Sequence, residues 1–228
     1  MKLSVLIPVY NEINTIAALL GQIKSLSIEK EIILVDDFST DGTRRLLKET
    51  FAIESPDIKI LYHNRNMGKG AAIKTALNNA CGDYAIIQDA DLEYDPNDYI
   101  KLFETAERNE APAVYGSRFL ISWKSTSFLH FLVNNFLTLL TNILFGSRLT
   151  DMETCYKMIR MDIFKGLNIE SDRFEIEAEI TAKLLKRGYN IIEVPVSYKG
   201  RSYHEGKKIT WKDGITTIVA LLKYKFNK

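Results

Sequence analysis

Ile86-Ile87-Gln88-Asp89-Ala90-Asp91-Leu92-Glu93 decides how the rest of the chain reads. Two apolar β-branched residues run directly into two carboxylates one residue apart. A buried strand over 84–88 would deliver Asp89 and Asp91 to the sheet edge where open α/β folds take up ligands. In extended backbone, positions i and i+2 face the same side. Two like charges held that close each resist ionising unless a cation stands with them. Hard carboxylate oxygens suit Mg²⁺ or Mn²⁺, with a substrate phosphate completing the shell. A solvated strand-to-loop turn would also use Asp, so the pair alone does not settle the chemistry.

Upstream, the apolar runs come in strand-then-helix order. Leu3 through Tyr10 reads as a buried strand with Pro8 near its end, followed by a helix over 15–26 with an Asn14 cap and an Ile16, Leu19, Leu20, Ile23 stripe. A second strand ends in Asp36-Asp37, and Asp41 is placed to cap a helix over 43–51. A third strand covers 58–62, and an Ala-rich helix covers 71–80. Four such units in the first 110 residues predict a parallel, doubly wound sheet. Right-handed crossovers gather the loops after the strands on one edge. Tyr10-Asn11-Glu12, Asp36-Asp37, residues 64–69 and Asp89 to Asp91 should therefore converge.

The loop after the first strand lacks the Gly-x-Gly-x-x-Gly of a dinucleotide-binding domain, and no P-loop spacing occurs. Gly68-Lys69-Gly70 could offer backbone N–H groups and one ammonium to a phosphate. Ser117-Arg118 follows a further strand over 113–116, where Arg suits a phosphate clamp or a surface salt bridge equally.

The second half carries two unusual helices. Residues 128–145 contain no charged side chain, and Asn134, Asn135, Thr138, Thr141 and Asn142 interrupt Phe, Leu, Ile and Val. Eighteen residues span roughly 27 Å as a helix, just short of a bilayer core of about 30 Å. The paired Asn make spanning costly, so the segment reads as lying in or on a membrane interface, flanked by Trp123, Lys124 and Arg148. A helix buried against the sheet is the alternative. Residues 210–228 read as an amphipathic helix with Trp211, Ile215, Ile218, Val219 and Leu222 on one side and a basic end suited to anionic lipid. Between the two, 173–187 is a helix whose Glu175, Glu177 and Glu179 should be spread round it, one or two facing a site and the rest solvated. A strand over 191–196 should lie near an edge because Pro195 cannot donate to a ladder. A Gly-punctuated basic and aromatic loop, 198–208, could close over an anion.

Composition bounds the partners. The chain has 228 residues, 46% of them apolar, and a formal net charge of +1. It fits one domain with a full core, and no bulk field argues for a nucleic-acid partner. Cys81 and Cys155 sit in no metal or redox spacing, which suits a reduced, cytoplasmic setting. The N-terminal apolar run is too short for a signal peptide and reads as the first strand.

In combination these motifs resemble the family 2 glycosyltransferases, and among them the polyprenyl-phosphate sugar transferases typified by dolichyl-phosphate mannose synthase. The resemblance rests on Ile7 to Glu12, Val35 to Thr43, Asn66 to Gly70, Gln88 to Tyr94 and Gly116-Ser117-Arg118. Thr150 to Lys157, Arg173 to Glu177, and Gly200-Arg201 through Gly206-Lys207-Lys208 extend it over almost the whole chain. It implies one GT-A domain over 1–228, a nucleotide-sugar-binding α/β sandwich with a mostly parallel central sheet and helices on both faces. Residues 119–149 would be a membrane-interface helical insertion and 209–228 the C-terminal amphipathic helix.

By the same resemblance, Pro8, Tyr10, Glu12 and Asp37 would hold the nucleoside of a GDP- or UDP-hexose donor, with Lys69, Asp89 and Ala90 beside it. Asp89 and Asp91 would bind Mg²⁺ or Mn²⁺ on the diphosphate, with Glu93 as a third ligand. Arg118 would grip the phosphate of a polyprenyl (dolichyl or undecaprenyl) acceptor. Arg201 and Lys207 would close on the donor diphosphate. The reaction would be metal-dependent and inverting, on the cytoplasmic face of a membrane held peripherally or through a membrane-protein partner. Relatives carry more basic residues after the Gly-Ser-Arg motif, where this chain has only Lys124. A phosphate nucleophile needs no dedicated base. A hydroxyl acceptor, soluble or on a polysaccharide, would need one such as Asp151 or Glu175. An inactive membrane-docked binding protein is the expectation from another class.

Overall fold

In the computed structural model, residues 1–51, 57–120, 128–201 and 211–226 are described. Seven strands form one sheet in the order β3-β2-β1-β4-β6-β5-β7. They are β1 (Leu3–Val9), β2 (Lys30–Asp36), β3 (Ile58–Tyr62), β4 (Tyr84–Ile87), β5 (Ala113–Ser117), β6 (Lys157–Arg160) and β7 (Ile191–Pro195). The Val, Ile and Leu runs of β1, β2 and β4 are buried on both faces, as the strands of a covered parallel sheet must be. All neighbouring pairs are parallel except those of β6, which runs antiparallel to both β4 and β5. That reversal brings the segment before Lys157 to the edge where the parallel strands end, so residues 150–157 join the loops after β1, β2 and β4. Pro195 closes β7, which is an edge strand as its missing donor requires.

The helices are α1 (Ile16–Ser25), α2 (Thr43–Leu46), α3 (Lys69–Leu77), α4 (Asp98–Arg108), α5 (Phe128–Phe145), α6 (Met161–Gly166), α7 (Ile176–Lys186) and α8 (Trp211–Phe226). Helix α1 buries the expected Ile16, Leu19, Leu20 and Ile23 but starts after Thr15 without a side-chain cap, so Asn14 is not its cap. Asp41 does accept the Thr43 N–H and hydroxyl (2.9 and 2.6 Å) at the start of α2. The expected helix over 43–51 widens into π geometry over Leu47–Phe51.

A second apolar cluster stands beside the sheet core. Leu137 of α5, Ala178 and Ala182 of α7, and Ala220, Leu221 and Tyr224 of α8 pack together. Helix α5 therefore packs on α7 and α8, and its outer side, Leu132, Val133, Phe136, Leu139 and Ile143, remains exposed. Of the α8 stripe read from sequence, Ile215, Val219 and Leu222 are exposed, as is Phe226, while Ile218 is partly buried against this cluster and the Trp211 side chain lies outside the described residues. The buried side of α8 is Thr217, Ala220, Leu221 and Tyr224, the last three packed with Ala178 and Ala182 of α7. Among the described residues, no helix is long and apolar enough to cross a membrane.

Candidate active site

The loops after β1, β2 and β4 meet at one edge, with strands and glycines setting their shapes. Asp37, just past β2, is buried. Its carboxylate accepts the N–H groups of Met67 and Gly68 (2.8 and 2.7 Å) and lies 2.7 Å from His63 Nδ1. The Gly68 amide is thus used inside the protein, and Ala71 N donates to Asp172 O. Of the amides expected to face a phosphate, that of Gly68 is engaged with Asp37 instead. The glycines of this loop serve a close approach: a Cβ on Gly68 would lie 2.3 Å from Asp172 O, and one on Gly70 2.4 Å from Ser171 O. Pro8 lies inside the β1 ladder, which ends one residue later at Val9 paired with Asp36, and Tyr10 is exposed just beyond it.

The Asp89 to Glu93 turn is held by Leu92 at φ 62° and by Glu93 N donating to Asp91 Oδ1 (3.1 Å). Lys199 N donates to Glu93 O, and Tyr94 bridges Tyr198, so the segment before Arg201 is laid along this turn. Arg201 then inserts among three carboxylates. Its Nη2 is 3.0 Å from Asp91 Oδ2, its Nη1 3.2 Å from Glu12 Oε2, and its Nε 3.7 Å from Glu93 Oε1. Burial, then Asp89 and Glu93, push Asp91 up to about 7, with Arg201 opposing. Asp89 is met by a different cation, Lys69 Nζ at 2.8 Å. Burial alone would pull Lys69 down, but Asp89, Cys155 and Glu177 outweigh it and hold the ammonium well above its usual value. Ala90, between the two aspartates, is buried.

Four carboxylates in this small volume form a hard-oxygen donor set of the kind Mg²⁺ and Mn²⁺ take; burial first, and then the charges of Asp89 and Glu93, raise Asp91 among them. Asp89, Asp91 and Glu93 therefore fit a divalent ion chemically. No cluster of three such side chains stands in a ligating arrangement among the described residues; Arg201 lies among them.

Beyond the carboxylate cluster, Arg118 is almost fully buried and forks onto Asp151, Nε to Oδ2 and Nη2 to Oδ1 at 2.7 Å each. Its guanidinium lies 5.1 Å from the Tyr198 ring and 5.3 Å from that of Phe119. Tyr198 donates its hydroxyl to Glu93 Oε2 (2.6 Å), and Phe119 meets Phe131 of α5 edge-on at 5.3 Å. Arg118 thus stands on an unbroken path from the carboxylate cluster to the apolar helix. Beside it, Phe119, Phe131, Thr138, Leu139, Leu149 and Thr150 line a groove of about 400 Å³.

Residues 4–167 match the family model described as Glycosyl transferase family 2. The chain belongs to glycosyl transferase family 2. It is 27% identical to the undecaprenyl-phosphate mannosyltransferase of Micrococcus luteus, over 91% of this chain and 87% of that protein. It is 41% identical over 121 residues to the undecaprenyl-phosphate 4-deoxy-4-formamido-L-arabinose transferase of Proteus mirabilis, spanning about half of this chain (51%) and 36% of that one. Among solved structures it resembles glucosyl-3-phosphoglycerate synthase from Mycobacterium tuberculosis in complex with Mn²⁺, UDP and phosphoglyceric acid. The TM-score there is 0.73 at 16% identity, covering all of this chain and 79% of that one. The S. aureus TarS structure with UDP-GlcNAc gives a TM-score of 0.66, covering 98% of this chain and 66% of that one. The fold of this glycosyltransferase is GT-A.

Lys207, Trp123 and Lys124 lie outside the described residues. Sequence reasoning missed the fork of Asp151 on Arg118, the Tyr198 link, and the burial of Glu177, Glu179 and Lys157. Of the three glutamates expected to be shared between a site and solvent, Glu177 and Glu179 are buried, and around Glu179 the Glu170 and Ser171 N–H groups (2.7 Å each) and Lys183 (2.6 Å) replace water. The missed signal was a lysine heading the apolar Lys157-Met158-Ile159 run, a position too buried to leave unpaired.

Proposed function

We propose that this glycosyltransferase moves a hexose from a nucleoside-diphosphate sugar, of the GDP-mannose or UDP-glucose kind, to a polyprenyl phosphate, with inversion. The path from the carboxylate cluster through Tyr198 and Arg118 to Phe119 and α5 carries this reading. It sets a buried cation between a donor site and an apolar face, as an amphiphile with a phosphate head requires. The undecaprenyl-phosphate transferases among its relatives support it.

Pro8, Tyr10, Glu12 and Asp37 border the nucleoside position, and Asp37 acts by fixing residues 63–68. Asp89, Asp91 and Glu93 would hold Mg²⁺ or Mn²⁺, which when bound supplies positive charge to the leaving diphosphate. Arg201 and Lys207 join that neutralisation. In the arrangement described, Arg201 binds Glu12, Asp91 and Glu93; it must exchange those partners for the diphosphate. Arg118 uses Nε and Nη2 for Asp151, leaving Nη1 to meet the acceptor phosphate. That phosphate has a second pKa of about 6 and is already ionised at neutral pH. Asp151 therefore serves to orient Arg118 rather than to take a proton. The exposed faces of α5 and α8 would rest on the cytoplasmic surface of a membrane.

The test incubates the protein with Mn²⁺, a short-chain polyprenyl phosphate and a panel of UDP- and GDP-hexoses, followed by mass spectrometry. A lipid-linked sugar from one donor, absent with Asp91→Ala, is expected. Nucleotide release that proceeds equally without the lipid would overturn the reading and favour a soluble acceptor.

A further inference from the structure

One buried feature has no part in the reaction as described. Behind Asp89 runs a file of alternating charges that crosses three elements. Lys69 Nζ, at the start of α3, sits 2.8 Å from Asp89 Oδ1 and 3.0 Å from Glu177 Oε1 of α7. Glu177 Oε2 is 3.0 Å from Lys157 Nζ at the start of β6. Lys157 is fully buried, and its ammonium donates to Met152 O (2.8 Å) and to Thr154 O. Those carbonyls belong to the segment that begins with Asp151, the partner of Arg118. The file therefore joins the Asp89 carboxylate to the loop that orients Arg118.

Burying Glu177 and Lys157 is costly unless each has partners, and an apolar core would serve stability as well or better. A buried ionic file is then expected to do something that an apolar core could not. We propose that Glu177 and Lys157 are positioning residues for the nucleotide and metal site. Lys69 meets both Asp89 oxygens, at 2.8 and 3.1 Å; by sharing that ammonium, Glu177 divides its charge between two carboxylates, so that a divalent ion can take Asp89 over from it. Lys157 fixes Glu177 and couples its place to the 151–157 loop. This role rests on the reading of Asp89 as a metal ligand.

The test measures Mn²⁺ affinity by electron paramagnetic resonance, with saturating UDP and again with GDP, alongside the melting temperature. Glu177→Gln should weaken Mn²⁺ by about tenfold or more, the scale at which groups supporting metal ligands act, while nucleotide binding without metal stays unchanged. Lys157→Met/Glu177→Gln removes one charge of each sign and covers the case in which the single variant fails to fold; it should weaken Mn²⁺ likewise. Glu177→Asp keeps the charge and should recover most of the affinity. Mn²⁺ affinity within twofold of wild type in a folded Glu177→Gln or double variant, whatever the melting temperature, would reduce the file to core ion pairs. A wild-type protein that binds Mn²⁺ with neither nucleotide would instead overturn the functional reading itself.

Discussion

Glu153 lies in the midst of the charged loop yet takes no part in its pairings. Its Oε1 is buried without a hydrogen-bond partner among the described residues. Burial pushes its carboxyl from 4.5 up to about 7, against the pull of Lys157. A carboxyl raised on folding binds its proton more tightly in the native state. Its contribution is fully present below its unfolded value, near 4.5, and is lost as pH rises through about 7. Glu153→Gln should then raise the melting temperature at pH 8 and leave it nearly unchanged at pH 4. The gain at pH 8 is at most on the order of 3 kcal/mol. Equal shifts at both pH values in thermal denaturation would contradict this. Arg201 gives a second expectation at the same scale. It occupies Glu12, Asp91 and Glu93, so Arg201→Gln should bind Mn²⁺ alone more tightly, by about tenfold or 1.4 kcal/mol, yet turn over more slowly with donor present. Calorimetric titration with Mn²⁺ reads the first effect, and a weaker affinity would contradict it.

Elements carry the site through close approach and through what they leave uncovered. The 171–172 backbone passes so near α3 that Gly70→Ala forces a shift of two main-chain segments. Overpacking of this kind costs about 1–3 kcal/mol, so the denaturant midpoint should fall while the fold persists. Helices α5 and α8 each expose a stripe at helical spacing, Leu132, Phe136, Leu139, Ile143 and Ile215, Val219, Leu222, Phe226. Ile143→Glu/Val219→Glu should reduce co-sedimentation with anionic vesicles severalfold and leave the melting temperature within a degree or two. Undiminished vesicle binding would separate these faces from the membrane. The bounds of α5 were legible because its polar residues recur at helical spacing. Which side of α8 is buried was not, since large apolar residues stand on both sides: Leu221 and Tyr224 face in while Ile215, Val219, Leu222 and Phe226 face out. Hydrophobicity does not tell these two sides apart, whereas packing does: Ala220, Leu221 and Tyr224 join Ala178 and Ala182 of α7 in one cluster.

At the scale of the molecule, the β-then-α order of the first half dictated a parallel sheet, and the carboxylate turn after β4 falls at its ligand edge. The reversal of β6 was not legible, because strand direction depends on what its flanking segments must reach rather than on its own four residues. That reversal is what delivers Asp151, Glu153 and Lys157 to the site. The motifs placed Glu12, Asp89, Asp91, Glu93, Arg118 and Arg201 in one region. They could not show that Arg201 serves three carboxylates or that Arg118 is locked by Asp151, since such pairings depend on side-chain directions set by the assembled loops. The central claim is that an ionised phosphate held by Arg118 is the nucleophile, with no protein base. The most direct measurement compares sugar transfer to a short polyprenyl phosphate and to the matching polyprenol across pH 5 to 8. The account predicts that the phosphate lipid reacts, with a rate rising through about pH 6 and then levelling, while the alcohol stays inert. Transfer to the alcohol at a comparable rate would contradict it.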